Sequence, residues 1–135
     1  MLRTLVAVAV GGGAGTALRL WIDLGLPQPV AGPPISTLLI NTIGSLALGI
    51  AVGGWWSTDR PEWLKAGLGA GFLGSFTTFS AVAVAAVTLT EAGALSIALS
   101  FVALSIVVGL IAASAGLWLG GRLHPRESST DWSQE

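Results

Sequence analysis

The feature that most constrains this chain is a series of four long apolar segments separated by short polar stretches. A helix needs roughly 20 mostly apolar residues to cross the hydrocarbon core of a bilayer. The segments run from about Thr4 to Ile22, Ile35 to Trp56, Leu64 to Leu89 and Ala94 to Gly121. The sequence therefore predicts an all-α membrane protein, with one bundle of four transmembrane helices over residues 1–123.

The two ends of the chain need separate interpretation. Met1, Leu2 and Arg3 before an apolar run could begin a cleaved signal peptide. The run continues to Ile22 and further apolar segments follow, so we expect this segment to be retained. The polar residues 124–135 are expected to form a disordered tail.

The composition supports a lipid environment and argues against several classes of function. Six Lys or Arg and seven Asp or Glu are the only formal charges among 135 residues, whereas soluble domains carry charge on about a quarter of their residues. The net charge of −1 argues against nucleic-acid binding, which requires a basic surface. The sequence has no cysteine, and its one histidine, His124, cannot build a zinc site or a catalytic triad alone. We therefore expect a membrane protein that is not an enzyme.

The basic residues predict how the chain is oriented in the membrane. Four spans place the N-terminus, the middle loop and the C-terminus on one side. That side holds Arg3, Arg60, Lys65, Arg122 and Arg126, and the opposite loops hold no Lys or Arg. The positive-inside rule then predicts a multi-pass protein of the plasma (cytoplasmic) membrane with both termini in the cytoplasm.

Glycines recur at a spacing of four residues in all four segments. The pairs are Gly11 and Gly15, Gly49 and Gly53, Gly67 and Gly71, and Gly116 and Gly120. This spacing places small residues on one helix face and allows close helix packing, within the chain or between subunits. The alternative is that glycine is simply commoner in membrane helices.

The third segment combines glycine with threonine at mid-membrane depth. Four glycines between Gly67 and Gly74 precede two adjacent β-branched residues, Thr77 and Thr78, and this combination weakens a helix. A broken helix at that depth frees backbone carbonyls, which are natural cation ligands. We predict a break centred on Gly74 to Thr78; the alternative is a continuous helix whose threonine hydroxyls bond to its own carbonyls.

The second segment places Thr37, Asn41 and Ser45 on one helix face, at a spacing of four. Asn41 cannot satisfy its amide within its own helix, so it is either a link between helices or a pore-lining donor. Spacing alone slightly favours the link. In the fourth segment, Phe101 and Ser105 share a face, which is a weaker signal. The centres of the spans hold no Asp, Glu, Lys or His, which suits passive passage of an anion better than proton-coupled transport.

Three sequence runs, in order, resemble the motifs of the Fluc fluoride channels, also called CrcB proteins. They are GGGAGTALR at 11–19, TLLINTIGS at 37–45 and GFLGSFTTFS at 71–80. The resemblance implies an antiparallel, dual-topology dimer with two pores for the passive export of toxic cytoplasmic fluoride. It also implies a structural sodium ion at the dimer centre, held by the backbone carbonyls of Gly74 and Thr77.

The resemblance further implies a set of pore residues. These are Thr37, Asn41, Phe79, Ser80, Val82, Phe101 and Ser105. The ring edge of Phe79 carries partial positive charge and can attract an anion without trapping it. Arg19 matches an arginine near the pore vestibule of the family; the alternative is an interfacial arginine that snorkels to water.

Two features of the chain depart from the family. Val82 stands where the family usually has a second phenylalanine, and valine has no polarised ring edge. An antiparallel homodimer also requires each chain to insert in both directions, which the strong charge bias opposes. We therefore hypothesise that the chain pairs with an oppositely oriented paralogue rather than with itself. The alternative function is a non-conducting or half-active partner subunit of a heterodimeric fluoride channel.

Overall fold

The computed structural model describes residues 1–26, 32–54, 56 and 59–123, and these residues form helices and turns without a strand. The helices are α1 (Leu2–Gly25), α2 (Ile35–Gly53), α3 (residues 62–76), α4 (Phe79–Glu91) and α5 (Leu95–Leu123). Four helical stretches are long and apolar enough to cross a membrane, the third being the combined Glu62–Glu91. The all-α, four-span fold is therefore confirmed. The predicted tail lies outside the described residues.

The connections follow the local chemistry of the chain. Pro34 and Pro61 each stand just before a helix, where proline's missing N–H costs no helical hydrogen bond. Between α4 and α5, Gly93 has φ of 76°, a left-handed conformation that glycine adopts without steric penalty. This tight turn makes α4 and α5 antiparallel neighbours.

The third span is interrupted between α3 and α4. Within α3, the glycine-rich stretch Gly67–Leu73 forms wider, π-helical turns, and a last α-helical turn covers Gly74–Phe76. The chain then becomes extended at Thr77 (φ −78°, ψ 152°) and Thr78 (φ −149°, ψ 120°), and α4 starts at Phe79. The break thus lies at the C-terminal end of the predicted region, and the glycines themselves remain helical.

One seam of small residues joins α1 to α3, and we call it the α1–α3 seam. It consists of Gly11, Gly15, Gly67 and Gly71. A Cβ atom on Gly11 would overlap the backbone carbonyl of Gly67, and one on Gly15 would overlap that of Phe72. Glycine is therefore required for the two backbones to approach this closely.

A second seam joins α2 to α5, and we call it the α2–α5 seam. It consists of Gly49, Gly53, Gly116 and Gly120. A Cβ atom on Gly116 would overlap the carbonyl of Leu46 on the facing helix. All four glycine pairs of the sequence thus lie in helix contacts within the chain.

The two seams divide the bundle into two helix pairs. α1 packs chiefly on α3, while α2 packs along α5, and α4 also lies on α5. The two pairs make far fewer contacts with each other. The break between α3 and α4 lies where the two pairs meet.

Candidate functional site at the helix break

An open cleft of about 470 Å³ lies where α2, α5 and the break between α3 and α4 meet. Its polar lining consists of Asn41, Ser45, Thr77, Thr78 and Ser105. Its apolar lining includes Leu48, Leu73, Phe79, Val82, Ile106 and Leu110. The lining residues carry no ionisable side chain, so the cleft offers neutral donors and acceptors beside apolar surface.

The side chain of Asn41 is paired with the backbone of Thr78. Its Nδ2 donates to the Thr78 carbonyl at 2.9 Å, and the Thr78 N–H donates to Oδ1 at 2.8 Å. The carboxamide thus supplies the acceptor that the Thr78 N–H loses at the break, and it adds a donor to the Thr78 carbonyl. An asparagine amide has two N–H donors, and this pairing uses one of them. Both roles that the spacing left open, link and donor, are compatible with this geometry.

The same hydrogen bonds change which backbone carbonyls are available. In a continuous helix the N–H of residue i bonds to the carbonyl of residue i−4. The Thr78 N–H, which would bond to Gly74, goes to Asn41 instead, and the Ala81 N–H, which would bond to Thr77, goes to Thr78 Oγ1 at 3.2 Å. The carbonyls of Gly74 and Thr77 therefore lack the donors that an unbroken span would give them.

Thr77 and Thr78 have different roles at the break. The N–H and the hydroxyl of Thr77 both donate to the Leu73 carbonyl, at 3.0 and 2.9 Å, so Thr77 closes the end of α3. The Thr78 hydroxyl caps the start of α4 and also lies 2.9 Å from the Ser80 hydroxyl. Thr77 therefore ends one helix and Thr78 begins the next.

The structure brings together six of the residues that the sequence predicted for the site. They are Asn41, Gly74, Thr77, Phe79, Val82 and Ser105. Phe79 is 77% exposed, whereas Val82 is 4% exposed and packs with Ala85 and Phe101. The Ser105 hydroxyl donates to the Phe101 carbonyl at 2.7 Å, so in this rotamer it presents lone pairs rather than a proton to the cleft.

Four other predicted residues lie outside the lining of the cleft. Thr37 is buried in the first turn of α2, and Phe101 is buried against Val82. Ser80 is exposed near Thr78, and Arg19 is half-buried on α1. Their roles in a pore or its vestibule stay predictions.

Sequence reasoning did not assign the helix-capping role of Thr78 or any role to Gly44. Thr78 stands before the helical run that starts at Phe79, and a threonine in that position is a common helix N-cap. Gly44 lies one turn after Asn41, and a Cβ there would overlap the methyl group of Thr77. Gly44 thus allows α2 to approach the break closely, which the sequence could not show without knowing that the two segments meet.

Residues 6–117 match the protein family described as CrcB-like protein, Camphor Resistance (CrcB). The chain is 40% identical over 126 residues to the fluoride-specific ion channel FluC of Pseudomonas fluorescens (strain Pf0-1), a match that covers 88% of this chain and 98% of that protein. It is 40% identical over 124 residues to the protein of the same name from Azotobacter vinelandii, with coverage of 88% and 98%. The FluC protein of Roseobacter denitrificans is 36% identical over 122 residues, with coverage of 87% and 95%.

Proposed function

The chain belongs to the CrcB-like family, and we propose that it is a subunit of a fluoride-specific ion channel. The observation that carries this proposal is the match to relatives of that name over 88% of the chain, at 40% identity for one of them. The neutral cleft at the helix break supports it. On this basis the protein is a channel rather than an enzyme.

We propose that export is passive. A membrane potential that is negative inside drives an anion outward with about 2.3 kcal/mol per elementary charge at 100 mV. The second N–H of Asn41 and the ring edge of the exposed Phe79 would each hold fluoride weakly. Weak binding at several positions favours conduction, because the ion must also leave.

We further propose that a structural sodium ion binds at the break. The fit rests on the carbonyls of Gly74 and Thr77, whose usual helical donors are bonded elsewhere. Among the described residues, no group of His, Asp or Glu could hold a metal ion, so the ligands here would be backbone oxygens. Two carbonyls do not complete a coordination shell, and a second subunit would supply the rest.

The expected assembly is an antiparallel dimer in which this chain has both termini in the cytoplasm. The strongly exposed Phe79 beside an open cleft supports a second subunit at this face. The charge bias favours an oppositely oriented paralogue as that subunit rather than a second copy.

Orientation can be tested with single cysteines, because the chain has none of its own. Asp59→Cys lies in the middle loop and Ala92→Cys lies in the turn between α4 and α5. In intact cells, a membrane-impermeant maleimide should label the Ala92→Cys variant. It should label the Asp59→Cys variant only after the cells are lysed. Equal labelling of both variants in intact cells would show insertion in both directions and would favour a homodimer.

Fluoride efflux from liposomes, measured with a fluoride electrode, tests the function itself. The chain reconstituted with an oppositely biased paralogue should release fluoride rapidly and retain chloride.

The second candidate, a non-conducting partner subunit, is favoured by the burial of Val82, which leaves that position without a ring edge. In the pair, Asn41→Asp or Phe79→Ile in this chain should abolish at least one pore. Unchanged efflux with both variants would favour the non-conducting role, and robust efflux from the lone chain would exclude an obligate heterodimer.

A further inference from the structure

We propose that Asn41 is a positioning residue that keeps the third span open and holds the Gly74 carbonyl available to a cation. The inference goes beyond a pore-lining role, and its cation part rests on the proposed sodium site. It starts from the reciprocal pairing of the Asn41 carboxamide with the N–H and carbonyl of Thr78, at 2.8 and 2.9 Å.

The pairing sets Asn41 in direct competition with Gly74. Both Oδ1 of Asn41 and the carbonyl of Gly74 are acceptors for the same Thr78 N–H, the first in the broken span and the second in a continuous helix. Since a backbone donor at membrane depth must have a partner, the N–H goes to one or the other. Asn41 therefore determines whether the Gly74 carbonyl is occupied by its own helix.

The rest of the break cannot replace Asn41. Thr78 caps α4 through its hydroxyl, and this frees the Thr77 carbonyl, but the cap leaves the Thr78 N–H without an acceptor. Thr77 bonds back to Leu73 with both its N–H and its hydroxyl. Without the carboxamide, the extended conformation would leave the Thr78 N–H unpaired in the membrane, because its usual acceptor, the Gly74 carbonyl, is out of reach when the helix is broken. The continuous helix would then be the favoured alternative.

The packing of α2 fixes Asn41 at the required position. One turn after Asn41, the backbone of Gly44 lies so close to the break that any Cβ would overlap the Thr77 methyl group and contact the Phe76 ring. Phe76 is itself only 3% exposed. α2 is thus held against the break at two successive turns, so the carboxamide is placed by the helix and not by a flexible loop.

Two substitutions separate the positioning role from a direct role in conduction. Asn41→Leu removes both hydrogen bonds and keeps the branch at Cγ and the number of side-chain heavy atoms. Asn41→Asp keeps an oxygen that accepts from the Thr78 N–H, whether it is protonated or charged, but it removes the N–H donor that an anion would use. Thr42→Val is the matched control, because the Thr42 hydroxyl bonds only to the Leu38 carbonyl of its own helix, at 2.7 Å.

The first readout is the backbone conformation of Thr77 and Thr78, from their ¹³Cα and ¹³Cβ chemical shifts in solid-state NMR of the protein in liposomes. The wild type, Asn41→Asp and Thr42→Val should give extended shifts at both residues. Asn41→Leu should give helical shifts. Extended shifts in Asn41→Leu would overturn the proposal, because the break would then hold without the carboxamide.

The second readout is the rise in unfolding temperature of the chain reconstituted with its oppositely oriented partner subunit when sodium chloride replaces N-methylglucamine chloride. We expect Asn41→Asp to retain this rise while fluoride efflux through at least one pore of the pair is lost. In Asn41→Leu, the sodium concentration for half-maximal stabilisation should increase at least about tenfold, since a regained helical hydrogen bond must break before the carbonyl can bind a cation. An unaltered sodium response in Asn41→Leu would contradict the link to Gly74.

The two readouts distinguish failure of this inference from failure of the proposed function. If the wild type shows no sodium response but Asn41→Leu shows helical threonine shifts, the sodium site is rejected and the positioning role stands. If the wild type conducts fluoride and responds to sodium while Asn41→Leu changes neither the shifts nor the response, the positioning role is rejected and the channel stands.

Discussion

The third span contains two neighbouring regions, the α3 side of the α1–α3 seam and the break after α3. The glycine-rich region stays helical, whereas the region without glycine is the one where the helix breaks. The glycine-rich stretch Gly67–Leu73 remains helical, with Gly67 and Gly71 buried against α1. The chain leaves the helix only at Thr77 and Thr78, which are not glycines. In this span, glycine therefore permits close packing, and the break depends on side chains that replace backbone hydrogen bonds.

Helix propensity alone would place the break elsewhere. Glycine in a helix interior costs about 1 kcal/mol relative to alanine, more than threonine does. The seam offsets this cost because its backbones pack at a distance that no larger residue allows. At the break, Gly44 of α2 packs on the Thr77 side chain, and the extended backbone of Thr77 and Thr78 is stabilised by the Asn41 pairing and the Thr78 cap.

The largest expected effect is a substitution within the α1–α3 seam. Gly15→Leu places a side chain against the Phe72 carbonyl, and we expect it to destabilise the chain by about 3 kcal/mol or to prevent folding. Gly13→Leu, two residues earlier in α1, meets no atom within 4 Å of its Cβ. Unfolding by SDS titration should separate the two variants. Equal stability would show that the seam does not require glycine.

A smaller effect is expected at the helix break. Thr78→Val keeps the β-branched shape but loses the hydroxyl that accepts from the Ala81 N–H, which should cost about 1 kcal/mol of stability. Thr88→Val in the same helix is the control, because the Thr88 hydroxyl is exposed and only bonds back to Val84. The same titration measures both. A loss in Thr88→Val as large as that in Thr78→Val would remove the evidence for a specific cap.

The difference between the seam and the break also explains which parts of the fold and the site could be predicted from the sequence. The length of the apolar segments predicted the four spans, and the i, i+4 glycines indicated close packing. Both properties can be recognised within a single segment of the sequence. The partners of Asn41 could not be predicted, since they depend on how α2 docks against a segment 37 residues later. The position of the break was predicted only to within Gly74 to Thr78, because glycine density and the two adjacent threonines weaken the helix over that whole stretch and do not show at which residue the backbone becomes extended.

The smallest effect is expected at Gly74, the last glycine before the break. A substitution there tests whether glycine or the side chains of Asn41 and Thr78 cause the break. A Cβ there would have only an ordinary contact, 3.6 Å from the Gly69 carbonyl. Because the site would use only the backbone carbonyl of this residue, Gly74→Ala should change stability by less than about 0.5 kcal/mol and should leave Thr77 and Thr78 extended. The threonine shifts in solid-state NMR provide the measurement. Helical shifts in Gly74→Ala would mean that glycine, and not the side chains of Asn41 and Thr78, sets the break.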